Sequence, residues 1–462
     1  MPLPRALPAE VGVDPAAIAA FVRACAQDPD VELHSLMVLR HGRVIAEGWA
    51  DPYRPEHQQL AYSLSKTFAS AAVGIAVAGG ALAYDDLLVD LFPDQVDERV
   101  GPKARSIRLR DVLAMGSGHT GDLIEEVTGG RPALARQHLG MFLRHEPEGV
   151  VGETFAYNQP CTWSAVRAVR ERTGTDVHDL LRERVLDPLG ADPTVWARDS
   201  DGCSLGFSGL HAATSTIAEF FQLLLDDGVR DGVRLLPQEW IEGHRRRYTS
   251  GWLDGEADSR LGYGWQVWMG QHGYRGDGAF GQFGLVLPEQ DMVVAITSAC
   301  ERMQSVLDAA WDVLLPGVDR PVSPGGQAEL VAALTGMALP PASGDSGGNW
   351  AGRDPAGRTL VVTEDTAGWR CDWDPGSGTV HSFQAGHGRW AETRLEAGGR
   401  SLRVAASAGR SPAGLVLELV FLNSPHRASL VMPASGGTAD LVWMIEPLGT
   451  VTPWHLAQPL LG

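Results

Sequence analysis

The chain contains 462 residues, of which 44% are hydrophobic, and this is enough for two domains with well-packed cores. Its formal net charge of -19 and its pI near 5.1 argue against nucleic acid or an anionic membrane as the main partner. The first residues form no long apolar stretch and no later segment approaches a membrane span, so we expect a soluble, cytoplasmic protein.

The cysteines and histidines indicate no metal site. Five cysteines are widely spaced, odd in number and without a Cys-x-x-Cys pair, which predicts neither a disulfide framework nor a zinc site. The 14 histidines form no His-Glu-x-x-His motif. We therefore expect no metal and no cofactor.

Strands stand at both ends of the first two thirds of the chain, with helices between them. The predicted strands are 35–40 and 43–48, which flank a turn at His41-Gly42, and later 281–288 and 291–298. The predicted helices are Pro15–Ala26, a nearly all-apolar run over 67–78 that ends at Gly79-Gly80, Leu109–Ala114, Cys161–Thr173, Thr216–Asp227 with a capping box from Thr216 to Glu219, and Met303–Leu315. This order predicts an α/β domain whose sheet is assembled from both ends of the segment.

The composition changes after about Pro321. A stretch rich in Pro, Gly and Ser over 340–348 has the composition of a linker. The remainder shows short strands between glycine-rich turns, at 359–362, 369–373, 415–422 and 428–432. We predict a catalytic domain over 1–320, a linker over 321–348 and a β-rich C-terminal domain, barrel or sandwich, over 349–462.

One lysine occupies a position that indicates chemistry. Lysine occurs only at Lys66 and Lys103, whereas the other 36 of the 38 basic residues are arginines. Lys66 follows Ser63 by three residues, so at the start of a helix its amine can reach the Ser63 hydroxyl. Burial and the positive helix N-terminus both favour loss of the ammonium proton, which an arginine could not give up. The spacing therefore predicts Ser63 as a nucleophile activated by Lys66.

A second candidate group lies in the segment Phe155–Gln159, on a loop before a helix. A phenol at Tyr157, close to a lysine, can move protons during cleavage of a serine ester. A tyrosine in isolation is more often a packed aromatic with a bonded hydroxyl. We predict that Tyr157 is catalytic and that Gln159 contacts the substrate.

The third group is the glycine-rich run over 276–288. Glycines before a strand let a backbone N–H approach a substrate carbonyl. We expect the amides of Ser63 and Ala279 to be the two oxyanion donors, with Gly278 and Gln282 contacting the substrate.

These three groups, in this order, resemble those of the serine β-lactamase and penicillin-binding-protein superfamily, especially its class C-like esterase, D-aminopeptidase and 6-aminohexanoate-dimer hydrolase branches. The resemblance covers about residues 10 to 320 and includes 113–118 and 209–216. It implies an α+β fold with an antiparallel sheet flanked by helices. It also implies that Ser63 is acylated, with Lys66 as its base partner and Tyr157 as the second proton-transfer group; which of the two is the acylation base stays open.

Two positions depart from the superfamily pattern. Gln159 stands at the third position of the usual Tyr-x-Asn, and the usual Lys-Thr-Gly strand is replaced by Gly276-Asp277-Gly278, with His272 and Arg275 nearby. Without the strand lysine, the pattern lacks the cation that would bind a penicillin-type carboxylate. The pattern favours an esterase or amidase.

Three rival motifs carry less weight because their surroundings do not fit. The run 344–348 matches a trypsin-like nucleophile signature but lies in the predicted linker. The run 202–206 matches an α/β-hydrolase elbow, yet no apolar strand leads into it, so we expect a turn. The glycines at 276, 278 and 281 match a dinucleotide fingerprint, but a strand and not a helix follows.

The sequence thus predicts a serine hydrolase that acts on a small-molecule or peptide ester or amide. One alternative is an acyltransferase or peptide cyclase, because the two-domain layout is similar to that of penicillin-binding-protein-type thioesterases that cyclise nonribosomal peptides. Another is a non-catalytic ligand-binding sensor on the same fold. A homodimer and several roles of the C-terminal domain also stay open.

Overall fold

A computed structural model describes residues 3–129, 134–449 and 452–460 of the protein. The α-helices of this part are α1 (Pro15–Gln27), α2 (Ser65–Ala78), α3 (Leu88–Leu91), α4 (Leu109–Leu113), α5 (Ile124–Thr128), α6 (His138–Arg144), α7 (Gln159–Thr173), α8 (Val177–Leu181), α9 (Asp187–Leu189), α10 (Thr214–Leu225), α11 (Gln238–His244), α12 (Met303–Ala309) and α13 (Gly326–Thr335). None of the helices described is long and apolar enough to cross a membrane.

The strands form an N-terminal and a C-terminal group. The first group is β1 (Val31–Arg40), β2 (Arg43–Trp49), β3 (Gln59–Leu60), β4 (Val195–Trp196), β5 (Leu210–Ala212), β6 (Val229–Arg230), β7 (Val233–Arg234), β8 (Trp268–Gly270), β9 (Gly273–Gly278), β10 (Gln282–Leu287) and β11 (Met292–Cys300). The second group is β12 (Trp350–Arg353), β13 (Thr359–Asp365), β14 (Gly368–Trp373), β15 (His381–Gly386), β16 (Ala391–Ala397), β17 (Arg400–Ser411), β18 (Gly414–Phe421), β19 (Arg427–Pro433), β20 (Gly437–Thr438), β21 (Asp440–Trp443) and β22 (Gln458–Pro459).

The central sheet has the strand order β2-β1-β11-β10-β9-β8 and is antiparallel throughout. Its first and last long strands, β1 and β11, pair from Val31 opposite Cys300 to Arg40 opposite Met292. The prediction of an antiparallel sheet assembled from both ends of the segment is therefore confirmed.

Both faces of this sheet are buried, because successive side chains of a strand point to opposite sides. On β11, Val294 and Ile296 join a core with α1 and α12, whereas Val293 and Ala295 join the core that holds α2 and α10. The continuous apolar run of β11 follows from this double burial.

Helix α2 crosses the second core and is buried nearly all round. At Gly74 a Cβ atom would overlap the Trp240 ring, so the glycine lets α11 lie directly against α2. Close packing along its whole length holds the N-terminal end of this helix, where Ser63 lies, in a fixed place.

One predicted helix start was wrong. Helix α10 begins at Thr214, with Ala213 as its N-cap, and not at the expected capping box of Thr216 and Glu219. The Thr214 hydroxyl lies 2.6 Å from the Ser35 hydroxyl of β1, and this buried contact ties an earlier residue to the sheet. A tertiary hydrogen bond thus fixes the start that local sequence preference misplaced.

The segment predicted as a linker contains α13, which packs against α1. Leu334 of α13 and Met337 also lie close to Gly48 of β2. The division of the chain at 320 and 349 stays a prediction.

The C-terminal strands form one sheet in the order β20-β12-β13-β14-β15-β17-β18-β19-β21, with β16 and β22 on β17. Strand β20 pairs with β12, while β21, which begins two residues later, pairs with β19. The two ends of the sheet are joined in this way, and the result is a nearly closed, barrel-like sheet. Its core holds Trp369, Trp373, Leu402 and Leu417, so these tryptophans are packing residues.

The turn over 422–426, between β18 and β19, docks on the N-terminal part. Asn423 accepts a hydrogen bond of 2.8 Å from the Leu60 amide, and Ser424 accepts one of 3.3 Å from the Tyr53 hydroxyl. Leu422 packs in a small buried cluster with Tyr53. The C-terminal sheet therefore contacts the chain immediately before the Ser63 turn.

Candidate active site

Ser63 lies in a tight turn between β3 and α2. A single 3₁₀ turn covers Tyr62–Leu64, and α2 begins at Ser65. Tyr62 has φ +45°, a left-handed conformation that a bulky residue rarely adopts, so the turn is strained. The turn leaves Ser63 half-buried at the N-terminal end of an otherwise buried helix.

Lys66 is only 1% exposed, and its amine faces Ser63. The Lys66 Nζ lies 2.8 Å from Ser63 Oγ and 2.9 Å from the Phe207 carbonyl oxygen. Burial lowers the pKa of Lys66 to about 7, against the opposing attraction of the Asp122 and Asp277 carboxylates. A neutral amine in this place can donate to Phe207 and accept the Ser63 proton.

Tyr157 lies on the loop that ends at α7, on the other side of the amine. The Lys66 Nζ is 4.7 Å from the centre of the Tyr157 ring, which stacks on Trp268 at 5.4 Å. The phenol lies near the side chains of Ser63 and Tyr263. Burial and the Asp277 charge nevertheless raise the pKa of Tyr157, so at neutral pH it keeps its proton.

The turn after β9 approaches the Ser63 turn closely. A Cβ atom at Gly278 would overlap the carbonyl oxygen of Ala61 and lie 3.1 Å from the Leu64 amide. Glycine at 278 therefore lets β9 lie against the residues on both sides of Ser63. Ala279 follows, and the structure thus brings the two predicted oxyanion residues to the same edge of the site.

Gln282 has a different place from the one predicted. Its side chain is fully buried, and its Nε2 donates to the carbonyl oxygens of Ser298, Phe280 and Ala279 at 2.7, 3.2 and 3.3 Å. The expected substrate contact is therefore corrected: Gln282 lies behind the Ala279 turn and holds its backbone. The alternation of residues along a strand shows which side chains share a face of the sheet, but it does not show which face borders the cleft.

Gln159 stands at the entrance of α7, next to an acidic residue that the sequence analysis missed. The backbone N–H of Gln159 donates to Asp122 Oδ1 at 2.9 Å. The side-chain oxygen Oε1 of Gln159 is buried with no hydrogen-bond partner among the described residues. Burial raises the pKa of Asp122, and the Lys66 charge acts against this rise. Asp122 is 56 positions from Lys66 by residue number, and no motif marked it.

An ion pair of Arg275 and Asp277 lies on β9, where the superfamily pattern places a lysine. Arg275 Nε donates to Asp277 Oδ2 at 2.9 Å, so the guanidinium is paired. The nearby His272 ring packs on Trp311, 5.0 Å away. Within the described ranges, no group of three or more His, Cys, Asp or Glu side chains could hold a metal ion.

The serines of the two rival hydrolase motifs lie outside this site. Ser204 of the run 202–206 is fully buried and donates to Asp176 Oδ1 at 2.6 Å, and Gly206 has φ +72° in a turn. That turn delivers the Phe207 carbonyl to Lys66, a role that no sequence signal indicated. Ser346 of the run 344–348 is exposed.

Comparison with known proteins gives the class. The family model named Beta-lactamase matches residues 18–316, which is more than half of the chain. The protein therefore belongs to the beta-lactamase family, and this membership supports an enzyme of the hydrolase type. No curated protein sequence matches the chain.

Solved structures confirm the fold. The octameric penicillin-binding protein homologue from Pyrococcus abyssi is 16% identical with a TM-score of 0.51, over 88% of this chain and 97% of its own. SurE with D-Leu is 18% identical with a TM-score of 0.53, over 88% and 98%. EstCE1, described as a hydrolase with promiscuous acyltransferase activity, is 15% identical with a TM-score of 0.52, over 64% and 98%. The first two likenesses extend over both groups of strands.

Proposed function

We propose that the protein is a serine hydrolase that cleaves an ester or amide through an acyl-enzyme on Ser63. The observation that carries this proposal is the Lys66 amine, 2.8 Å from Ser63 Oγ and with its pKa lowered to about 7. A lysine with this pKa exists partly as the free base at neutral pH and can take the serine proton.

Acylation follows from the contacts of the three side chains. Ser63 Oγ attacks the substrate carbonyl while its proton passes to the neutral Lys66 amine. The carbonyl oxygen becomes negative and is stabilised by the amides of Ser63 and Ala279. As the intermediate collapses, the bond to the leaving group breaks and Tyr157, which keeps its proton at neutral pH, supplies a proton to that group. The Lys66 ammonium then returns its proton to Tyr157.

Deacylation repeats these steps with water as the nucleophile. Lys66 again accepts a proton, now from the attacking water, and a second oxyanion forms at the same two amides. The bond between Ser63 Oγ and the acyl carbon breaks, and Oγ takes a proton from the Lys66 ammonium, which becomes neutral again. The products are the free acid and the unchanged enzyme.

The charge of the site supports a neutral or amine-bearing substrate. Arg275 is paired with Asp277, and Asp122 adds a carboxylate near Lys66. A substrate carboxylate would meet repulsion there in place of the cation that the superfamily pattern provides. We propose esters and amides, and not penicillins, as the substrate class.

The direct test is hydrolysis of a p-nitrophenyl ester by the wild-type protein and by Ser63→Ala. We expect turnover to disappear in Ser63→Ala, because the attacking oxygen is gone. Ser346→Ala is the matched control: it removes the serine of the trypsin-like motif, which is exposed, and should retain full activity. Retained activity in Ser63→Ala would refute the assignment of Ser63 as the nucleophile.

A second candidate function is acyl transfer to an amine. Asp122 would attract an ammonium group of an acceptor to the acyl-enzyme, and the likeness to EstCE1 is compatible with transfer. Product analysis with the ester alone and with added amines separates free acid from amide. An oligomer of identical subunits and a cytoplasmic location remain proposals; the Pyrococcus abyssi homologue is described as octameric.

A further inference from the structure

His426 of the C-terminal sheet lies behind the active site, in the turn that docks on the N-terminal part. Its ring is 1% exposed. The Nε2 atom lies 2.6 Å from the Tyr62 hydroxyl, and Nδ1 lies 3.0 Å from the Ile445 carbonyl oxygen. A carbonyl oxygen only accepts hydrogen bonds, so Nδ1 carries the proton and Nε2 accepts from Tyr62.

The same histidine ring also contacts the turn that carries Ala279. Phe280 lies edge-on to His426 at 4.8 Å and edge-on to Tyr62 at 5.3 Å. Phe280 directly follows Ala279, and Tyr62 directly precedes Ser63. The three rings therefore join the two turns that carry the predicted oxyanion amides.

Both turns need outside support. Tyr62 and Phe280 have φ of +45° and +68°, left-handed conformations that are unfavourable for aromatic residues. Such conformations persist only where surrounding contacts over-determine them, and they concentrate at functional sites. Gln282 holds the backbone of the second turn from one side, and His426 holds both aromatic side chains from the other.

We propose that His426 is a positioning residue, through which the C-terminal sheet fixes the Ser63 and Ala279 amides in the geometry that stabilises the oxyanion. This inference rests on the proposed function. On this account the C-terminal sheet completes the active site without supplying an atom that reacts. Burial lowers the pKa of His426 to about 4, so the ring is neutral and remains an acceptor for Tyr62 across the neutral range.

The test compares Tyr62→Phe and His426→Phe with the wild-type full chain. Both variants keep an aromatic ring and lose the hydrogen bond between the two residues. The matched control is Tyr53→Phe, which removes a buried tyrosine hydroxyl that donates to Ser424 of the same docking turn, at 3.3 Å. Steady-state hydrolysis of a p-nitrophenyl ester, the rate of fluorophosphonate labelling and thermal unfolding by circular dichroism are measured for each.

We expect kcat and the labelling rate to fall about 10- to 100-fold in Tyr62→Phe and His426→Phe, less than outright loss of an oxyanion donor. KM should stay within about twofold, because the hydrogen bond acts on the transition state more than on substrate binding. The losses in the two single variants should be less than additive in the double variant, since both variants remove the hydrogen bond between Tyr62 and His426. Tyr53→Phe should keep wild-type kcat.

The outcomes separate this inference from the proposed function. A wild-type protein that neither hydrolyses nor labels would overturn both. An active wild type with unchanged kcat in Tyr62→Phe, or with an equal loss in Tyr53→Phe, would overturn the positioning role alone. Should His426→Phe fail to fold, Tyr62→Phe and its control still decide the question.

Discussion

Lys66 is held in a place that a permanently charged residue would not tolerate well. Its amine is buried with Ser63 Oγ and the Phe207 carbonyl as neighbours, while two carboxylates act from further away. Desolvation outweighs the attraction of those carboxylates, and the pKa falls to about 7 from an ordinary value of 10.5. The carboxylates keep the pKa from falling further, which leaves the amine able to accept and return a proton near neutrality.

The pH dependence of the rate follows from this balance. The amine is a base only after it has lost its proton, so kcat/KM of the wild type should rise as the pH increases through about 7. Lys66→Arg should lose about a thousandfold or more in kcat, because arginine stays charged.

The chain offers a matched control for that substitution in its second lysine. Lys103 Nζ donates to the carbonyl oxygens of Pro147 and Glu148, both at 3.0 Å, and needs only a positive donor there. Lys103→Arg should therefore leave the pH–rate profile unchanged. A Lys66→Arg variant that keeps the wild-type pH–rate profile would count against Lys66 as the base.

At the scale of elements, the close contact of β9 with the Ser63 turn decides the shape of the site. Gly278→Ala should reduce kcat strongly, by about 100-fold, because the new Cβ would overlap the Ala61 carbonyl oxygen and push the Ala279 amide away. Gly79→Ala, at the other end of α2, adds a Cβ with ordinary contacts at 3.4 Å and should change kcat little. Equal kcat in Gly278→Ala and in the wild type would show that catalysis does not need the close contact of β9 with the Ser63 turn.

The sequence was informative wherever a periodic pattern or a residue spacing carries the signal. The predicted run over 67–78 is α2 (Ser65–Ala78), and the predicted strands over 281–288 and 291–298 are β10 and β11. The Ser63 and Lys66 side chains meet as their spacing predicted. Each of these follows from local periodicity, which a single sequence contains.

Other elements depend on tertiary contacts that no local pattern records. The local pattern alone did not predict strand β9 (Gly273–Gly278), because its glycines have low strand preference. The strand forms where Gly276 packs between Thr67 and Phe221. Asp122 reaches Lys66 only through the path of a long loop, so its part in the electrostatics of the site could not be seen.

At the scale of the whole molecule, the C-terminal sheet and the N-terminal part are joined by a buried apolar cluster and by an ion pair. Leu422 and Tyr53 share a buried cluster, and Arg427 pairs with Glu32 at 2.8 Å. The turn between β18 and β19 thus lies against the residues just before the Ser63 turn.

Leu422→Ala tests the junction. The side chain is fully buried, so its truncation should lower the free energy of unfolding by about 2–5 kcal/mol. Val380→Ala, on a residue that is 63% exposed, should change it by less than about 0.5 kcal/mol. Urea unfolding of both variants measures the difference, and equal midpoints would contradict the proposed packing.

Mass spectrometry of the protein after treatment with a fluorophosphonate would show whether Ser63 is the nucleophile. We predict one added phosphonyl group, located by peptide mapping on Ser63, and no addition in Ser63→Ala. An adduct on another residue would contradict the assignment of Ser63 as the nucleophile. A wild-type protein that hydrolyses esters without forming any adduct would contradict the covalent mechanism. A protein that neither reacts nor hydrolyses would contradict the proposed hydrolase and favour the alternative of a ligand-binding sensor.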